Sequence, residues 1–308
     1  MKDLIKKYID FLSSKNMSKH TIRAYQGDLS QFSEYCKKFF SEGSALGGKN
    51  EEIVLGEISK TMFRDFLQFL SEKGDSNRTL ARKVVSIKGF FKFLAGENVI
   101  PFNPVIDIKI PRFEKHTATF LTEEEMEFVL SIPDSEDILG IRNKAILELL
   151  YSSGIRIGEL AGIKLLNINL KKGLIKVLGK RSKTRIIPIG KYAQRAILDY
   201  LKVRTSLLKA KDEKMLFLSN NGKPLSADEL RYIINKYLKI IEKSKRYSPH
   251  TIRHTFATHL LDHGADLRSV QELLGHSSLT STEVYTHASI KKLKKVYEQA
   301  HPHGDKKK

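Results

Sequence analysis

A single cysteine, Cys36, stands among 308 residues, so no disulfide can close within the chain. Cys36 recurs in phase with apolar helix positions and is expected to be a small core residue. No apolar run approaches the length of a membrane-spanning helix, and the Met1-Lys2-Asp3 start lacks the apolar core of a secretion signal. Neither a HExxH pattern nor a cysteine cluster is present to hold zinc. No internal repeat is visible, and low complexity is confined to Lys306-Lys307-Lys308. Negative charge is also scarce. Thirty-five acidic residues face 54 lysines and arginines, a formal charge of +19. Such an excess self-repels unless a polyanion shares the surface, which makes nucleic acid the leading partner and a membrane surface a distant second. The expected location is cytoplasmic and nucleoid-associated.

What is present suffices for two ordinary domains of a globular protein, with 41% hydrophobic and 29% charged residues. The first hundred residues read as helices. Ile22, Tyr25, Leu29, Phe32, Cys36 and Phe39 recur at spacings of three and four. Residues 62–70 look similar, and residues 79–94 interleave Leu80, Val84, Ile87, Phe90, Phe91 and Leu94 with basic side chains. Residues 41–50 read as a Gly/Ser loop. Pro101, Pro104 and Pro111 then break the period, which predicts a linker over residues 99–117 between a helical domain (1–98) and a mixed one (118–308). The mixed domain opens at a Thr122/Glu125 capping box. Its other expected elements are a helix over 143–151 stopping at Gly154, paired strands at 174–178 and 185–189, a helix over 251–262 ended by Gly264, and another over 267–274 ended by Gly275. Thr280 and Glu283 fit one more helix start.

Five local patterns carry the chemistry. Tyr151-Ser-Ser-Gly-Ile-Arg156-Ile-Gly-Glu-Leu160 sets an arginine between a helix stop and a new helix start. Val177-Leu-Gly-Lys180 places a lysine at a hairpin tip. His250-Thr-Ile-Arg253 puts two polar groups on one helical face. Leu274-Gly-His276 places a histidine after a helix stop, and Glu283-Val-Tyr285-Thr-His287 supplies a tyrosine nine residues later. Singly, each has an ordinary explanation. Arg156 could pair with a surface carboxylate such as Glu159, Lys180 could be a turn lysine, His276 a capping residue, and Tyr285 a plain aromatic.

In this order and spacing, with 26 residues from His250 to His276 and 9 more to Tyr285, the set resembles the tyrosine recombinase (phage integrase) family, most closely the Xer site-specific recombinases. The N-terminal Ser18-Lys-His-Thr-Ile-Arg-Ala-Tyr25 and the ending Tyr297-Glu-Gln-Ala-His-Pro302 extend the likeness over nearly the whole chain. Ser153 and Gly158 stand where the family has Thr and Ser, and Arg181 follows Lys180 where it usually has Gly. The resemblance implies a mainly α fold with a small β-sheet: a helical, SAM-like core-binding domain followed by an α+β catalytic domain. It implies Tyr285, Arg156, Lys180, His250, Arg253 and His276 as catalytic residues, with no metal and no cofactor. Tyr285 would be the nucleophile, Arg156 and Arg253 the phosphate ligands, and Lys180 the general acid. His250 would share the tyrosine proton and His276 would bond the phosphate.

The basic helix, with Arg78, Arg82, Lys88 and Lys92, is the candidate for a DNA groove; a solvated bundle face is the plainer reading. Ile290, Leu293, Val296 and Tyr297 form an apolar stripe that in a lone domain would pack on its own core; the resemblance implies instead a C-terminal helix that docks on a neighbouring protomer, and that is the expectation. The partners implied are duplex DNA with an inverted-repeat site, a homo- or hetero-tetramer on paired sites, and a second recombinase or a DNA translocase. His250, His254, His259 and His263 lie close in sequence but read as packing or DNA-facing residues rather than metal ligands, and His301 and His303 read as tail. Rival readings are a mobile-element integrase, a type IB topoisomerase with a similar residue set, and a non-catalytic architectural DNA-binding protein.

Overall fold

The computed structural model describes residues 1–15, 17–42, 55–111, 119–179, 184–209, 213–241, 247–275 and 287–304. The chain divides into two units, Met1–His116 and Thr117–Lys308. Both are mostly helical, and the second carries one small sheet.

The first unit contains α1 (Lys2–Ser14), α2 (Lys19–Glu42), α3 (Lys60–Glu72) and α4 (Asn77–Gly96). Serines begin the last two. The Ser59 hydroxyl accepts from the Met62 amide at 3.2 Å, and the Ser76 hydroxyl from the Thr79 amide at 3.3 Å, each satisfying a donor that a helix start leaves unpaired. The apolar stripe of α2 turns Leu29, Phe32 and Cys36 fully inward, while Phe39 near the helix end is exposed. Phe32 meets Phe63, Phe66 and Phe91 edge-on at centroid distances of 5.6, 5.1 and 6.1 Å. Each buried ring contributes about 1.5–3 kcal/mol by leaving water, so this cluster carries much of the unit's stability.

The proline-punctuated stretch read as linker belongs to this unit as far as residue 111. Ile100, Val105 and Ile108 are buried in its core. Lys88 Nζ donates to the Ile106 carbonyl at 2.6 Å, and Asn103 Nδ2 to the Lys88 carbonyl at 3.3 Å. Proline forbids helix but not burial, so an aperiodic segment can still lay apolar side chains on α4.

The second unit opens with α5 (Glu123–Ser131), where the Thr122/Glu125 capping box closes with bonds of 3.2 and 2.9 Å. α6 (Ile138–Ser153) follows and is buried on nearly every face, as its lack of a polar stripe requires. It packs against α8 (Lys191–Arg204) and α10 (Pro249–Asp262). Between α6 and α8 lie α7 (Ile157–Ala161) and an antiparallel sheet in the order β1 (Ile168–Asn169), β2 (Leu174–Leu178), β3 (Thr184–Pro188), with Val177 opposite Arg185. α9 (Ala227–Ile241), α11 (Leu267–Leu274) and α12 (His287–Ala300) complete the unit. The expected elements thus form within a few residues of their sequence signals. Of the loop read over 41–50, residues 41 and 42 belong to α2, and the rest, with the helix start at Thr280 and the closing lysines, lies outside the described residues.

In the single chain the stripe of α12 packs on its own unit, and one reading of the C-terminus, that of His301 and His303, needs revision. Leu293, Tyr297 and Ala300 of α12 are buried in the core of their own unit, and the Tyr297 hydroxyl lies 2.6 Å from Ser152 Oγ and accepts from the Gly190 amide at 3.1 Å. His301 and His303 are not tail. Both are buried, with ring centroids 4.7 and 5.2 Å from that of Tyr151, and His303 Nδ1 lies 3.3 Å from the buried Glu148 carboxylate. The flat ring of Tyr151 and the Glu148 charge give polar aromatic side chains somewhere to go, which a run of His, Pro and Lys does not reveal by itself.

Candidate active site

Helix ends build the site. Gly154 ends α6 in the left-handed conformation, φ +57°, and Gly275 ends α11 in the same way, φ +67°. A side chain is strained at both: a Cβ on Gly154 would lie 2.4 Å from the Phe256 ring, and one on Gly275 would press on the Arg185 side chain at 3.0 Å. Arg253, one turn into α10, spans the two ends. Its Nη1 donates to the Gly154 carbonyl and its Nη2 to the Leu274 carbonyl, both at 2.6 Å. A guanidinium is thereby held at the negative ends of two helix dipoles. Burial, together with the nearby Arg156 and Arg185 charges, lowers its pKa to about 10, so it remains a cation at neutral pH.

Arg156 sits at the start of α7. Its backbone amide donates to Glu159 Oε2 at 2.8 Å and its Nη1 to Oε1 at 3.1 Å. The same carboxylate receives two bonds of 2.8 Å from Arg185 on β3, a two-pronged pairing. Burial favours the neutral acid, but the Arg185 and Arg156 hydrogen bonds and charges outweigh it and hold Glu159 below the usual carboxylate range. The ordinary alternative for Arg156, a pair with Glu159, is present, and the Glu159 side chain is buried rather than on the surface.

His250 lies exposed in the first turn of α10, after Pro249 at a position where a missing N–H costs nothing. Arg156, His250 and Arg253 line one recess with Ser248, Pro249 and Arg231. Three of the six expected catalytic residues therefore meet. Lys180, His276 and Tyr285 lie outside the described residues, with Lys180 in the segment joining β2 to β3 and His276 directly following Gly275. The recess can grip an anion between fixed cations and hold an imidazole at its rim.

The remaining histidines of α10 and of its C-cap are otherwise engaged. His259 is buried between the Tyr151 hydroxyl and the Leu121 carbonyl, both at 2.9 Å. His263 Nδ1 lies 2.8 Å from the His259 carbonyl and its Nε2 3.4 Å from Glu123, and His254 lies edge-on to Phe120. In the first unit, Arg78, Arg82 and Lys92 are exposed on one face of α4, with Arg82 also paired to the buried Asp28. Lys88, the fourth expected DNA contact, donates from its amine to the Ile106 carbonyl. Sequence reasoning also passed over Arg185 and Arg231. A basic residue two positions before Ile187, on the inward side of a strand, was the available signal for Arg185; Arg231 carried none beyond its charge.

The family model described as the phage integrase family matches residues 119–292, and that of the phage integrase N-terminal SAM-like domain matches residues 5–98. The chain belongs to the phage integrase family. The tyrosine recombinase XerC of Pelotomaculum thermopropionicum is 40% identical over 293 residues, 94% of each chain. The tyrosine recombinase XerD of Halalkalibacterium halodurans is 37% identical over 94% of this chain and 93% of its own. With the family comes the enzyme class, a tyrosine recombinase of DNA recombination. The fold is shared with the XerH site-specific recombinase bound to its difH substrate (TM-score 0.69, 22% identity, covering 97% of this chain and 82% of that one). It is shared likewise with the Tn1549 transposon integrase in complex with a circular intermediate DNA (TM-score 0.71, 20% identity, covering 96% and 94%).

Proposed function

We propose that this phage integrase family member exchanges DNA strands through a 3′-phosphotyrosyl bond to Tyr285. The convergence of Arg156, His250 and Arg253 in one recess carries the reading. The Tyr285 oxygen attacks the scissile phosphorus, forming the P–O(Tyr) bond and breaking the P–O5′ bond. The phenol proton passes to His250, and the departing 5′-oxygen takes a proton from Lys180. Arg156 and Arg253 bind the two non-bridging oxygens, and His276 adds a hydrogen bond. Because the phosphodiester energy is kept in the covalent bond, a 5′-hydroxyl from a partner strand can reverse the step without ATP or metal.

Arg78, Arg82 and Lys92 on α4 are the proposed DNA-contacting residues of the first unit, which is matched by the SAM-like domain model. The relatives named XerC and XerD, and neighbours solved on DNA, support duplex DNA as the partner and assembly of several copies on paired inverted-repeat sites. We assign the finer role to resolution of chromosome or plasmid dimers in the cytoplasm, at the nucleoid, with a second recombinase or a translocase as the accessory. Among the described residues no helix is long and apolar enough to cross a membrane.

Randomly nicked, labelled genomic fragments test the reaction, because a short 5′ fragment diffuses away and traps the intermediate. The expected result is a denaturation-resistant protein–DNA adduct that Tyr285→Phe abolishes and that maps to few sites. Adducts scattered over sequence would indicate a type IB topoisomerase, and an equal adduct with Tyr285→Phe would sink the mechanism.

A further inference from the structure

Arg185 has no part in the chemistry above, yet it is anchored more firmly than Arg156 beside it. Its side chain is 7% exposed and both prongs of its guanidinium engage Glu159, whereas Arg156 is 32% exposed and gives that carboxylate a single prong. Its stem and guanidinium also lie where any side chain at Gly275 would go, next to the Leu274 carbonyl that holds Arg253. One carboxylate thus stands among three guanidiniums. The charge of the group is +2, matching the two negative charges of a pentacoordinate phosphorane transition state. Without Arg185 the charge falls to +1, and among the described residues Arg156 would be the one cation still hydrogen-bonded to Glu159. A two-pronged Arg156–Glu159 pair would then draw Arg156 away from the recess.

We infer that Arg185 is a positioning residue. It neutralises Glu159, so that the carboxylate orients Arg156 without cancelling its charge on the phosphate. The inference rests on the proposed reaction and deepens it.

The test is single-turnover cleavage of a nicked duplex carrying a site recovered from trapped adducts. Arg185→Met is expected to slow cleavage about a hundredfold, with non-covalent DNA affinity changed by less than about threefold. Two further observations separate positioning from a structural role. A methylphosphonate at the scissile position lacks one anionic oxygen and asks less of Arg156. It should shrink the Arg185→Met deficit to below about tenfold, as it should for Arg156→Ala. Adding Glu159→Gln to Arg185→Met removes the charge left unneutralised and should restore cleavage by about tenfold or more. Arg185→Lys, which keeps charge and bulk, should fall between Arg185→Met and the wild type and serves if Arg185→Met does not fold.

A deficit that is equal on both substrates and unrelieved by Glu159→Gln overturns the proposal. So does rescue confined to a 5′-phosphorothiolate, whose leaving group needs no proton, because that would place the defect at Lys180. If the wild type forms no Tyr285 adduct, or methylphosphonate fails to relieve Arg156→Ala, the reaction scheme itself falls. If both hold and only Arg185 fails to respond, the positioning role alone is lost.

Discussion

His301 uses both ring nitrogens in its neutral form. Nδ1 accepts from the His303 amide at 3.0 Å, which leaves the proton on Nε2, 3.2 Å from the Tyr151 carbonyl. A second proton would set Nδ1–H against that amide in a fully buried site. Burial, then the neighbouring His303, lower its pKa to about 3. The folded value lies below the ordinary 6.5, so the unfolded chain takes up the proton first. The stability tied to neutral His301 is therefore complete above pH 6.5 and is lost as pH falls toward 3. His259, also lowered by burial, acts in the same direction. Denaturant unfolding at pH 7 and pH 5 should show a loss on the order of 2 kcal/mol from His301. His301→Leu should be less stable at pH 7 but should lack that part of the pH dependence; an unchanged dependence would refute the account. None of this was legible in the sequence, where a histidine between alanine and proline before a lysine run looks exposed. Arg156 and Arg253 were legible through the order and spacing of the whole residue set, which resembles the family, and neither stood out alone. Arg185 became meaningful only when folding set it beside Glu159, 26 residues earlier.

At the scale of the element, α4 shows both the reach and the limit of periodicity. Its apolar stripe gave the helix and its buried face almost residue by residue. Its basic residues looked like one set and are not. Positions 78, 82 and 92 share an exposed face, whereas Lys83 is buried against Asp75 at 2.8 Å and Lys88 holds the segment that follows the helix. The helical repeat contained that distinction, since residues 83 and 88 fall outside the 78, 82, 85, 92 line. Arg78→Ala and Lys92→Ala should each weaken DNA binding, and each should reduce the slope of log affinity against log salt by about one, the effect of withdrawing one cation from a phosphate. Lys88→Ala should leave that slope unchanged and lower thermal stability instead. The reverse pattern in a binding series between about 50 and 200 mM salt would place the DNA on another face. Arg82→Ala should change both readings, because it also strips the partner from buried Asp28.

For the whole molecule the open question is where α12 spends its time. The apolar stripe over 290–297 supported two readings in the sequence, and in a single chain it fills its own core through Leu293 and Tyr297. These readings do not compete energetically. An identical core in a second copy offers the same Leu293 and Tyr297 seats, so passing the helix to a neighbour conserves its packing and needs only proximity, which paired DNA sites supply. Mixing two inactive proteins tests the exchange. One is the full chain with Tyr285→Phe, which has the helix but no nucleophile. The other ends at residue 286, keeping Tyr285 and losing the helix. Neither should form an adduct alone. If α12 can seat in trans, the mixture should yield an adduct of the shorter chain on a duplex with two binding sites, and Leu293→Ala in the longer chain should weaken it by opening a cavity in the borrowed seat. If both proteins are folded and DNA-bound and the mixture stays silent, α12 serves its own unit alone, and the copies must communicate through another surface.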